Sequence, residues 1–112
     1  MPKMSKSPNT TAAAKRLPPV HPGEILKETL SDLGLSMNRL ALDIRVPANR
    51  ISGIISGQRG ITAETALRLA RHFQTTPGYW MNLQSQYDLA VARDQWEDRV
   101  ASEVRPRSEQ VA

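Results

Sequence analysis

Asn49, Arg50 and Ser52 stand together in the stretch LALDIRVPANRISGII, residues 40–55, with Ala48 before them and Gly53 after. An asparagine amide matches the N6 and N7 edge of adenine, and an arginine guanidinium matches O6 and N7 of guanine. Ser52 can bond either base type, Ala48 offers a methyl group to thymine, and Gly53 permits close approach. Such a set reads an anionic polymer; it does not break bonds. Around it, Ser36, Asn38, Arg45, Gln58 and Arg59 are the side chains suited to phosphates. Ser36 and Asn38 would act from a helix N-terminus, Gln58 and Arg59 from a loop.

Other chemistries fit poorly. The chain has no cysteine, so thiolate metal sites and disulfides are excluded, as befits a reducing, cytoplasmic setting. His21 and His72 are too few and too far apart for a usual metal site, and no cofactor is implied. Glu28 and Asp43 read as helix-surface acids rather than as a catalytic pair, and no phosphate loop or nucleophile–base set is found. The chain is therefore not expected to be an enzyme. No apolar run approaches the roughly 18 residues of a membrane span.

Charge agrees with an anionic partner. The net charge is +4, and it is unevenly spread: residues 1–61 hold nine Lys and Arg against four Asp and Glu, residues 62–112 six against seven. A solvated cationic surface would look the same on charge alone.

The reading residues need a scaffold, and the spacing predicts five helices and no strand. Pro22 suits a first helical turn, Ile25, Leu26, Leu30 and Leu33 fall on one face, and Gly34 ends the element. Ser36 caps a second helix with Met37, Leu40, Ala41 and Ile44 inward. After Pro47 a third helix turns Ile51, Ile54 and Ile55 inward and ends at Gly57. Thr62 caps a fourth, whose inner face is read as Ala66, Leu67, Ala70 and Phe73. Thr76-Pro77 starts a fifth with Trp80, Leu83, Tyr87 and Ala90 or Val91 on one stripe. Helix five is expected to fray near Val100 and loosen after Pro106. Residues 1–20 read as a disordered basic tail, 21–93 as the helical domain, and 94–112 as a charged extension, partly helical or disordered.

Helices two and three have the marks of a helix-turn-helix. Ala41 is small where the helices cross, Ile44 and Val46 flank the turn, and Ile51 and Ile54 are the buried branched residues of the second helix. Two packed helices in any small bundle share part of this pattern. His21, before Pro-Gly-Glu, reads as part of a helix start. Trp96, in RDQWEDR, has no apparent stripe to join, so it either folds back or meets a partner.

The blocks HPGEIL, LGLS, VPANRISGIISGQRGIT and TALRLARHFQTTPGYWMNLQSQYDLAVA resemble, in order and spacing, the HigA-type or VapI-like antitoxins of the Xre, lambda-repressor-like superfamily. The likeness spans about residues 21–92. It implies an all-α, compact five-helix fold and a homodimer on a palindromic double-stranded operator. It also implies repression of its own operon and a HigB, RelE-like partner toxin that cleaves mRNA. Relatives that act as stand-alone regulators without a toxin are the alternative. Arg45 departs from the pattern, standing where the superfamily turn usually has glycine. Either the strain is tolerated or the arginine adds a phosphate contact.

Two partner surfaces follow as expectations. The dimer contact is expected on helix five, through Trp80, Leu83, Tyr87 and Leu89, because those residues exceed what a terminal helix needs. A toxin contact is expected on the acidic C-terminal segment, Asp88, Asp94, Glu97, Asp98 and Glu103 around Trp96, with the N-terminal tail as the alternative and a merely solvated tail as the plain one.

Overall fold

The computed structural model describes residues 17–108, so most of the expected N-terminal tail lies outside the described residues. Five helices follow one another: α1 Pro22–Leu33, α2 Met37–Ile44, α3 Ala48–Ile55, α4 Ala63–Phe73 and α5 Pro77–Glu103. No strand occurs among the described residues.

Local chemistry sets the boundaries. The His21 imidazole, by accepting from Gly23 N–H at 2.9 Å, is itself the cap of α1, and Gly34 closes that helix in the left-handed region with φ 64°. Ser36 Oγ accepts from Arg39 N–H, Thr62 Oγ1 from Thr65 N–H and Thr76 Oγ1 from Tyr79 N–H, so α2, α4 and α5 each begin on a hydroxyl cap. Arg45 ends α2 at φ 62°, ψ 50°, its N–H bonded back to Ala41 and Leu42 carbonyls. The turn of the helix-turn-helix thus does use a left-handed residue, and here it is an arginine, at a strain of about 1 kcal/mol.

α1 lies on α3 and α5, α2 on α3 and α4, and α4 on α5. Leu26, Leu40, Ile51, Ile54, Ala66, Leu69 and Trp80 are the fully buried centre. Each large member contributes about 1.5–3 kcal/mol of transfer energy. Gly23 is indispensable to the α1–α3 crossing: a Cβ there would land on the Ile54 carbonyl oxygen. Trp80 is the largest core side chain, with its indole N–H donated to Thr75 Oγ1 at 2.9 Å.

Several inward assignments need correction. Leu67 is 60% exposed, and Leu69 takes the core position on α4. Leu33 and Met37 also face outward, at the last residue of α1 and the first of α2, where Gly34 ends one helix and Ser36 starts the next. α5 runs past residue 93, the expected domain boundary, and does not fray near Val100. It continues unbroken to Glu103, and its outer half carries Leu89, Trp96 and Val100 in solvent.

Candidate nucleic-acid interface

α3 is short, and its two buried residues, Ile51 and Ile54, set its orientation. The opposite face then carries Ala48, Asn49, Ser52 and Ser56 exposed, with Gly53 between them. Ser52 Oγ donates to the Asn49 carbonyl at 3.3 Å and Ser56 Oγ to the Gly53 carbonyl at 3.2 Å, so both hydroxyls lie along the helix. Asn49 is exposed on this face, with its side-chain amide toward solvent. Ser56, at the end of the same face, is a candidate reader that motif reasoning missed.

Gly53 has a more specific task than access. A Cβ there would stand 3.2 Å from Arg59 Cγ, so the absent side chain makes room for the arginine stem. The loop after α3 folds back on the same residue, with Gln58 and Arg59 N–H both bonded to the Gly53 carbonyl at 2.9 and 3.2 Å. Gln58 and Arg59 are thereby fixed beside the reading face. Gln84 of α5 holds the far end of this loop: its Oε1 accepts from Ile61 N–H at 2.7 Å, and it fills the space above Gly60. Nothing in the motif advertises Gln84, because its partner is 23 residues away.

Arg50 sits on the flank of α3, with its side chain 26% exposed. Its Nη1 lies 3.2 Å from Glu64 Oε1, in the first turn of α4. Arg68 donates its Nε to Glu64 Oε2 at 3.0 Å and its Nη1 to the Ile44 carbonyl at 3.0 Å. Glu64 is held below the usual carboxylate range, first by the Arg68 hydrogen bond and then by the charges of Arg50 and Arg68. It is ionised at neutral pH.

Ser36 and Asn38 are exposed at the start of α2, and Arg45 is exposed in the turn, on the rim of a hollow that it shares with Leu67, Arg71 and His72. The expected dimer residues divide. Trp80 is 1% exposed and belongs to the core, so it is removed from that surface. Leu83 packs against the core, and the Tyr87 ring meets the His21 ring edge-on at 4.8 Å. Leu89 alone of the four is open to solvent. It shares with Ala92, Trp96 and Val100 a shallow groove of about 260 Å³, bordered by Arg93 and Glu97. Trp96 therefore does have a stripe, at the i, i+3, i+7 and i+11 spacing of one helix face. Among the described residues no cluster of His, Cys, Asp and Glu could hold a metal, and no helix is long and apolar enough to cross a membrane.

Two crossed helices, a three-residue turn, and a polar outward face on the second define a helix-turn-helix domain. The helix-turn-helix family model matches residues 26–80. Virulence-associated protein I of Dichelobacter nodosus is 48% identical over 82 residues, 72% of this chain and 76% of that protein. An addiction module antidote protein of a HigA family from Coxiella burnetii superposes with a TM-score of 0.80 at 47% identity, over 81% of this chain and 100% of that one. The Pseudomonas aeruginosa antitoxin HigA, solved with the higBA promoter, gives a TM-score of 0.77 at 42% identity, over 80% and 99% of the two chains. The chain belongs to this helix-turn-helix family of HigA-like and VapI-like proteins.

Proposed function

We propose that the chain is a DNA-binding antitoxin. As a homodimer it reads an inverted-repeat operator with α3, represses its own operon and neutralises a HigB, RelE-like toxin that cleaves mRNA. The observation that carries this reading is the outward face of α3, Asn49, Ser52, Gly53 and Ser56, in a chain 42% identical to an antitoxin solved on promoter DNA.

In this reading Asn49, Ser52 and Arg50 meet base edges, with Ala48 and Gly53 shaping the contact. Ser36, Asn38, Arg45, Gln58 and Arg59 hold phosphates on either side. One reading head makes few contacts, so two are joined for useful affinity, with half-sites about 10 bp or a multiple apart. The joining surface is the Leu89–Trp96–Val100 stripe on α5. An antiparallel second copy would cover the groove and set Arg93 beside the partner subunit's Glu97, twice by symmetry. The acidic outer half of α5 suits a basic toxin, which belongs to the same reading.

An electrophoretic shift with the chain's own upstream region tests the DNA part. Asn49→Ala should lose about 1–3 kcal/mol on that duplex and little on random duplex. Arg59→Ala should weaken both alike and lower the salt slope by about one. No shift, or equal affinity for every duplex, would overturn the reading. Co-expression with the neighbouring reading frame tests the toxin part: rescue of growth is expected, and failure to rescue would leave a stand-alone regulator.

A further inference from the structure

We propose that Glu64 determines the base specificity of α3 by holding Arg50 as a buttressed reader instead of a phosphate clamp. The inference rests on the DNA-reading role proposed above. Arg50 is the one cation on α3, and it stands beside a small hollow that also takes in Arg59, Thr62 and Glu64. Left alone there, its charge would close on the nearest backbone phosphate and add affinity for any sequence.

The carboxylate opposes this, and although the Glu64 side chain is 56% exposed, Arg68 holds it from the other side. Its second oxygen is bound by Arg68, whose other arm is fastened to the Ile44 carbonyl at the end of α2. One brace thus links α2, α4 and α3. Arg50 gives only Nη1 to this brace, at 3.2 Å. Its Nε and Nη2 N–H groups remain as a parallel pair, the arrangement that fits O6 and N7 of guanine. Glu64 offsets part of the Arg50 charge, although Arg68 shares the same carboxylate, so Arg50 offers the backbone less than a bare guanidinium would; held in one orientation, it offers one base edge more.

The test is Glu64→Gln, which keeps the shape and removes the charge, measured on operator and random duplex across a salt series. Arg50→Ala and the double variant complete the cycle. The random-duplex affinity should rise severalfold and the salt slope should steepen by about one, as the freed arginine takes a phosphate. The ratio of operator to random affinity should fall about tenfold, the discrimination of one good base contact. With Arg50→Ala already present, Glu64→Gln should change neither quantity. A Glu64→Gln protein that weakens all duplexes alike with an unchanged salt slope would reduce Glu64 to a fold contact and overturn the proposal. An effect that survives Arg50→Ala would overturn it as well. A wild-type chain that does not separate operator from random duplex would instead sink the DNA reading itself.

Discussion

The two tryptophans lie 16 residues apart on one unbroken helix, yet they live in different environments: Trp80 is 1% exposed and Trp96 48%. Around Trp80, the near part of α5 is packed by α1 and α4 and tied by side chains to the α4–α5 link, the loop after α3 and the start of α1. Thr75 takes the indole N–H, Gln84 holds the loop after α3, and Tyr87 meets His21. Around Trp96, the contacts are with the same helix: Arg99 lies 5.3 Å over the ring and pairs with Glu103 at 2.8 Å. One half of the helix finishes a core, and the other presents an apolar stripe that this chain's described residues do not cover. Stability of the head and association of two heads should therefore be separable properties.

The largest expected effect sharpens that separation. Trp80→Ala should cost about 3–5 kcal/mol of folding stability, read from denaturant unfolding, and should abolish DNA binding with it. Next comes the opposite case. Trp96→Ala should leave monomer unfolding near wild type but weaken self-association by about 2 kcal/mol, seen by sedimentation over a concentration series. If instead it lowers monomer stability as Trp80→Ala does, the two halves of α5 are not distinct.

Gln84 lies at the joint, and its loss should be intermediate. Gln84→Ala strands the Ile61 N–H, at about 1–2 kcal/mol of stability, and should loosen Gln58 and Arg59 enough to weaken operator and random duplex together. Self-association should not change. The smallest effect has the opposite sign. Arg45→Gly should stabilise the head by about 1 kcal/mol through relief of the left-handed strain, again with no change in association. A simultaneous drop in affinity for all duplexes would show that Arg45 holds a phosphate.

How much of this could be read from residues alone depended on distance along the chain. Ser36, Thr62, Thr76-Pro77 and Gly34 act on backbone groups within a few residues, and the helix boundaries they predict are those observed. Ile51 and Ile54 oriented α3 correctly for the same reason. Leu67 and Leu69 show where this ends: both are leucines two positions apart on α4, and which is inward depends on how α4 is rolled against α5. Glu64 was invisible as a partner of Arg50 because the two meet across 14 residues, through a turn and a loop. Trp96 was misplaced because its charged neighbours hid the Leu89–Ala92–Val100 spacing. Gly23 looked like part of a helix start, and only the α1–α3 crossing reveals that no other residue fits.

The unbroken course of α5 has one more consequence, which concerns phase. A helix of 27 residues is a stiff rod about 40 Å long with no joint between head and arm. Adding one residue between Tyr87 and Leu89 would rotate the stripe by about 100° around the axis and advance it by only about 1.5 Å. Two joined heads would then face away from a common side of the duplex, though every side chain of both surfaces were kept. Adding seven residues, about two turns, would nearly restore the rotation and displace each head by about 10 Å. The number of residues in that stretch is thus a setting in angle first and in length second, and the half-site spacing of an operator must be matched to both.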